Sequence, residues 1–177
     1  RDLHSFPTRR SSDLSRCNEE TLQWEMIGNL PEPAAYGGVV ASGDSLILVG
    51  GCNTEHSLRT VLSIHLDQEN GKPILKSLPD LPCTVDNMGV CLLDTRLFVV
   101  GGNQDGRPSA SVLTMEIGKD EKWTLETELL GEPRVQPVCA AYKNELFVWG
   151  GFYENGKSSI VATSGLRYQL MSKSWVK

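Results

Sequence analysis

Three stretches of the chain share one design, an apolar β-branched run that ends in a glycine pair. They are Leu46-Ile47-Leu48-Val49-Gly50-Gly51, Leu97-Phe98-Val99-Val100-Gly101-Gly102 and Leu146-Phe147-Val148-Trp149-Gly150-Gly151. The first glycines stand at 50, 101 and 150, so the spacings are 51 and 49 residues. A self-similar period of ~50 residues belongs to solenoids and propellers. Aligned on that glycine without gaps, the units stay in register. Fourteen positions upstream stand Tyr36, Asn87 and Gln136, and twelve upstream Gly38, Gly89 and Val138. Six upstream are the turn formers Asp44, Thr95 and Asn144, and eleven downstream Val61, Val112 and Val161.

Each unit predicts four short strands, A to D, separated by turn residues. Strand A falls near 36–42, 87–93 and 136–142, and strand B near 46–50, 97–101 and 146–150. Strand C falls near 60–66, 111–117 and 160–168, and strand D near 73–78, 122–128 and from 174 onward. Strand D carries Trp123 and Trp175, and Thr21-Leu22-Gln23-Trp24-Glu25-Met26 reads as the same strand of a preceding unit. No segment has a 3.6-residue period, so almost no helix is expected. Four antiparallel strands per repeat make a propeller blade. The expected fold is therefore all-β: a propeller fragment with about three four-stranded blades (34–82, 83–133 and 134–177) plus the outer strand of a preceding blade. A propeller closes into a ring of roughly 4–8 blades, so the sequence reads as about half of one.

Residues 1–20 stand apart. Arg1 to about Leu14 is polar and aperiodic and resembles a translated sequencing-adapter read; a native disordered arm is the alternative. Either way Arg9 and Arg10 are not a binding patch. If the segment is foreign, the true N-terminus and any signal peptide lie elsewhere.

Composition narrows the function. The net charge of −5 and the lack of a basic stripe argue against a nucleic-acid surface. No apolar run approaches the ~18–20 residues of a membrane span. Cys17, Cys52, Cys83, Cys91 and Cys139 are odd in number and lack CxxC spacing, so neither a disulfide framework nor a zinc site is expected. Cys91 and Cys139 lie in strand-like runs and read as small buried hydrophobes. His4, His56 and His65 have no partner at ligand spacing, so no metal is expected.

Strand direction places candidate chemistry. A, B, C and D alternate, so the B–C loops and D–A entries open on one face and the minimal A–B turns on the other. Binding residues ride on loops held by a rigid scaffold. The B–C loops supply Asn53, Glu55, His56 and Arg59, then Asn103, Asp105 and Arg107, then Tyr153, Glu154 and Lys157. The D–A entries supply Tyr36, Asp86, Asn87, Arg134 and Gln136. Tyr36, Asn87 and Gln136 either present an asymmetric ligand site or bond neighbouring loops. Arg59, aligned with Ala110 and Ser159, suits bidentate grip of a carboxylate or is a solvated strand-edge cation. Glu55 and His56 could move protons, or be ordinary loop residues.

The Gly-Gly strands, Trp strands and Pro-Arg entries resemble kelch repeats over nearly all of 21–177. Longer runs carry a finer likeness: Leu78-Pro79-Asp80-Leu81-Pro82, Asp86-Asn87-Met88, Gly101-Gly102-Asn103-Gln104-Asp105-Gly106-Arg107-Pro108-Ser109, Pro133-Arg134-Val135-Gln136-Pro137-Val138 and Trp149-Gly150-Gly151-Phe152. Together they resemble the N-acetylneuraminate epimerase (sialic acid mutarotase) family and its cyclically permuted branch. The resemblance implies an isomerase that interconverts the α and β anomers of free sialic acid by assisted ring opening, with no cofactor, in a periplasmic or secreted setting. It implies catalytic roles for Arg59, in the Arg59-Thr60 dipeptide, and for Glu55 as the nearest carboxylate. Under that reading the loop-face residues Tyr36, Asp86, Asn87, Asn103, Arg107, Arg134 and Gln136, placed by strand direction and the repeat alignment, are the candidate substrate contacts. In that family a Glu directly follows one glycine pair, where this chain has Cys52, so the carboxylate does not carry over. Arg134 equally suits the kelch habit of tying adjacent blades. The competing expectation is a non-catalytic kelch module that binds a protein or glycan on the same face.

Expressed alone, residues 21–177 are expected to aggregate or dimerise, because half a hub and two blade edges expose apolar surface. A monodisperse, cooperatively folded monomer in sedimentation would contradict this.

Overall fold

The computed structural model describes residues 12–119, 122–155 and 158–176. It is all-β, with no helix among the described residues. In chain order the strands are β1 (Asp13–Cys17), β2 (Trp24–Asn29), β3 (Gly38–Ser42), β4 (Ser45–Val49), β5 (Val61–Leu66), β6 (Pro73–Leu78), β7 (Val85–Asp86), β8 (Gly89–Leu93), β9 (Arg96–Val100) and β10 (Asn103–Gln104). Then follow β11 (Arg107–Pro108), β12 (Ser111–Glu116), β13 (Thr124–Glu128), β14 (Val138–Tyr142), β15 (Glu145–Trp149), β16 (Phe152–Asn155), β17 (Ser158–Val161), β18 (Leu166–Gln169) and β19 (Ser174–Val176). Three antiparallel meanders of four strands form propeller-like blades: β3-β4-β5-β6, β8-β9-β12-β13 and β14-β15-β18-β19. The innermost strands β3, β8 and β14 lie side by side at the hub.

Local chemistry explains the meander. Each A–B hairpin turns on two residues, and the first (Gly43, Asp94 or Lys143) is left-handed at φ 59, 53 or 54°. At the end of strand B both glycines of each pair are left-handed, for example Gly101 at φ 61° and Gly102 at φ 80°. A Cβ on Gly102 would stand 2.5 Å from the Asp86 carbonyl oxygen. No side chain fits there, and the left-handed backbone shared by all six positions favours glycine in every pair.

Burial follows blade position. One core, with Ile47, Val49, Val85, Leu97 and Val99, fills the space between the first two blades. A second, with Phe98, Val100, Leu146, Val148 and Tyr168, fills the space between the second and third. Residues Leu97–Val100 of β9 are therefore buried on both faces, whereas β4 and β15 alternate. The outward faces leave Val39 and Leu46 exposed on one flank and Val138, Tyr142 and Trp149 on the other. The strand-D tryptophans join the blades. Trp123 Nε1 donates to the Pro79 carbonyl at 2.9 Å, and Trp175 Nε1 to the Glu128 carbonyl at 2.7 Å.

Two expectations need correction. Strand pairing begins at Asp13, inside the segment 1–20 that reads as an arm, because β1 pairs antiparallel with β2. The turn between them, with Asn18 Oδ1 accepting from Glu20 N and Thr21 N, repeats the β5–β6 turn, where Asp67 Oδ1 accepts from Glu69 N and Asn70 N. β1 and β2 are thus strands C and D of a further unit, not strand D alone. Arg1 to Ser11, with Arg9, Arg10 and His4, lie outside the described residues.

The third strand C is the second correction. Residues 158–161 do not join the blade; they pair with β16 as a separate hairpin. The blade strand is β18, with Val148 opposite Leu166, whereas Val49 faces Val61 and Val100 faces Val112. The third B–C loop is therefore four residues longer. Gly165, not Val161, is the counterpart of Val61, and Val161 is 70% exposed. A gapless alignment cannot register an insertion between strands.

The hub contact gives a test. A Cβ on Gly89 would meet the Pro137 carbonyl oxygen at 2.9 Å and Cys139 Sγ at 3.0 Å. Gly89→Leu is expected to cost about 1–3 kcal/mol or more through overpacking. Phe98→Ala, at a fully buried site, should cost about 3–5 kcal/mol. Urea unfolding of both variants against wild type checks the assignment; an unchanged midpoint for Gly89→Leu contradicts it.

Candidate functional site: the polar rim of the hub

On the B–C/D–A face each entry segment pairs with the residue that follows its own glycine pair. Ala35 pairs with Cys52, Asp86 with Asn103, and Val135 with Phe152. The next residue is Tyr36, Asn87 or Gln136, and all three are left-handed at φ 55, 53 and 54°. Asn tolerates that conformation, but Tyr and Gln are uncommon in it. Hydrogen bonds between units hold it. Asn87 N donates to the Tyr36 carbonyl at 2.9 Å, and Gln136 N to the Asn87 carbonyl at 2.7 Å. A side-chain relay runs in the same direction. Gln136 Nε2 donates to Asn87 Oδ1 at 2.8 Å, and Asn87 Nδ2 donates to Asp86 Oδ1 at 2.7 Å.

Asp86 anchors this rim. It is 6% exposed, and a buried carboxylate is costly unless it accepts several hydrogen bonds. Ser57 Oγ donates to Oδ2 at 2.5 Å, and Asn103 Nδ2 joins Asn87 on Oδ1 at 2.9 Å. Ser57 belongs to the first blade's B–C loop and Asn103 to the second's, so one carboxylate fixes two loops. The Cys52 thiol nearby is raised by burial, and further by the Asp86 charge, so it rests as a neutral thiol.

The remaining sequence candidates separate. Arg59 is half-exposed, with Nε 3.6 Å from Asp80 Oδ2, and its carbonyl accepts from Leu81 N. Glu55 and His56 are exposed on a turn in which both backbone N–H groups donate to Asn53 Oδ1 at 2.9 Å. Among the described residues no ion pair joins Glu55 to Arg59. Arg107 is exposed on the β10–β11 hairpin, which Asp105 pins by accepting from Thr84 N and Oγ1 at 3.0 Å each. Tyr153 and Glu154 lie on β16, and Lys157 lies outside the described residues.

Arg134 is 4% exposed. Its guanidinium donates to the Ser164 carbonyl at 2.9 Å, to Ser164 Oγ at 2.8 Å and to the Gly150 carbonyl at 3.4 Å. Its own carbonyl accepts from Gly102 N of the preceding blade at 2.8 Å. Burial lowers its pKa from the ordinary arginine value. The side chain thus ties the entry segment to the B–C loop of its own unit, and only the backbone carbonyl reaches the preceding blade. The side chain also floors an open cleft of about 370 Å³ with Tyr153, Thr163 and Ser164.

Two partners escaped the sequence reading. Ser57 carried no motif, and its only signal is that it faces Cys52 across the loop. Ser164 was hidden by the four-residue insertion, which also makes Thr163, not Ser159, the counterpart of Arg59. Among the described residues no group of three or more His, Cys, Asp and Glu side chains could hold a metal ion, and no helix is long and apolar enough to cross a membrane. No protein-family profile matches the chain, and a search of curated proteins finds no match either.

Removing the Asp86 carboxylate strands three donors. Asp86→Ala is expected to lower stability by about 1–3 kcal/mol, whereas exposed Glu55→Gln should leave the midpoint within about 0.5 kcal/mol of wild type. Equal denaturation midpoints for the two variants would remove Asp86 from its anchoring role.

Proposed function

We propose that the hub rim is the site of a sialic acid mutarotase, an isomerase that speeds exchange between the α and β anomers of free N-acetylneuraminate. The observation that supports this reading best is the rim itself. Tyr36, Asn87 and Gln136 are three different polar residues at one repeat position, linked through their backbones, with the Asn87 and Gln136 side chains fixed by a relay that ends on a buried carboxylate. Such a preformed rim suits a small polyhydroxylated ligand, because little ordering remains to oppose binding. The kelch-like runs that carry the family resemblance lie in the same loops.

In this reading a base takes the proton of the anomeric hydroxyl while an acid protonates the ring oxygen. The ring opens to the ketone, rotates and recloses. Arg59 grips the sugar carboxylate. Its present partner Asp80 is a surface carboxylate, and exposed ion pairs are worth ~0–1 kcal/mol, so exchanging it for a substrate carboxylate costs little. Glu55 is the proton carrier in the same loop. Asn87, Gln136, Tyr36 and Arg107 address the sugar hydroxyls and amide. Asp86 and Asn103 hold the floor, and we assign Arg134 to the scaffold because Ser164 and Gly150 engage it. No cofactor enters the reaction.

One observation favours a second reading, a non-catalytic kelch module for a glycan or protein. Tyr36 is 65% exposed at the rim, and the position of the family carboxylate holds the neutral thiol of Cys52.

Proton NMR of freshly released α-anomer distinguishes the two. The full-length protein should speed equilibration without changing the final ratio. Arg59→Ala should lower kcat/KM roughly ten- to a hundred-fold, from loss of ~1.5–3 kcal/mol of charge-assisted bonding. Arg59→Lys should recover little, since an ammonium cannot reproduce the planar fork. A wild-type rate equal to the spontaneous one replaces the enzyme with the binding module.

A further inference from the structure

Cys91 on β8 and Cys139 on β14 come from adjacent blades and meet at the hub. Cys91 is 6% exposed and belongs to the second core, and Cys139 packs against that core. Cys139 Sγ lies over Gly89, 3.0 Å from where a Cβ would stand, so the absent side chain leaves the space into which the sulfur points. Cys91 lies two residues beyond Gly89 on the same strand, and the inner strands β8 and β14 pack together; the neighbouring Cys91 thiol and burial raise the Cys139 pKa.

The repeat supplies its own control. The interface between the first two blades is built alike: Gly38 lies under Val90, whose Cγ2 is 2.1 Å from the position of a Gly38 Cβ. There the counterparts of Cys91 and Cys139 are Val40 and Val90, both packed against the first core. Packing at these two positions is thus met by a pair of valines. Two cysteines stand together in the second interface only, and their shape alone does not call for sulfur.

We propose that Cys91 and Cys139 are a thiol pair that closes to an inter-blade disulfide when a small disulfide oxidant such as glutathione disulfide is present. Each thiol gives up its proton. One thiolate attacks the oxidant and expels a glutathione thiolate; the second attacks the mixed disulfide and expels the other. One S–S bond forms and one is cleaved, and two electrons pass from the protein to glutathione. The bond adds a covalent link between the inner strands of two blades that otherwise meet through apolar packing and hydrogen bonds, so it locks the hub against opening between them. Burial suppresses the thiolate and makes closure slow. The partly exposed Cys17, Cys52 and Cys83 have no such neighbour among the contacts described, and they stay reduced or carry glutathione singly.

The 177-residue chain is incubated folded with glutathione disulfide for several hours, then blocked with N-ethylmaleimide in denaturant and digested. The expected result is a peptide linking Cys91 to Cys139, a fall in total free thiols, and a rise in Tm on the order of 5–10 °C that dithiothreitol reverses. Cys91→Val/Cys139→Val, copying the first interface, should fold with the reduced wild-type Tm and show no oxidant-dependent rise. Singly glutathionylated cysteines without the linked peptide, or an equal Tm rise in the double variant, would overturn the proposal.

Discussion

The second glycine of each of the first two pairs carries two entry segments at once. Gly51 has its α-carbon against the Ala35 carbonyl of its own unit, while its N–H donates to the Val85 carbonyl of the next at 2.8 Å. Gly102 does the same with Asp86 behind it and Arg134 ahead. A side chain would fill the first contact and displace the second. Steric exclusion and a single backbone hydrogen bond at this residue therefore set how closely successive blades pack. The cores, the tryptophan ties and the hub are consequences of that spacing.

The same joint creates the site. Because entry segments are drawn together over the glycine pairs, the next residue of each is delivered to the hub in a left-handed conformation. Its side chain is displayed beside that of its neighbour. Scaffold and rim are therefore not separable: Asp86 is at once part of β7, the acceptor for two loops and the last acceptor of the side-chain relay. Arg134 illustrates the opposite balance. An arginine beside candidate ligand groups invites a binding role, yet nearly complete burial and three protein acceptors commit it to architecture.

Strands A, B and D and the first two strands C were legible to within a residue or two because their apolar runs and turn or glycine stops are local and repeat. The β16–β17 hairpin was not, because an insertion has no periodic signature and Val161 happened to match the pattern. β1 was missed for a related reason. Asp13–Cys17 is short and mixed in polarity, and only its pairing with β2 makes it a strand. On the site, sequence placed Tyr36, Asn87 and Gln136 on one face correctly. It could not show that Asn87 and Gln136 bond each other, nor that Arg59 faces Asp80, since those partners are set by how blades stack. Ser57 was invisible because a lone serine in a polar loop carries no pattern.

The run of backbone bonds from Gln136 through Asn87 to Tyr36 has a direction, every N–H pointing to the preceding unit. Peptide dipoles joined head to tail reinforce one another. The rim is therefore a polar strip with a fixed direction along the hub. Three related repeats, laid in sequence, thus give the hub a direction that appears only where one repeat meets the next.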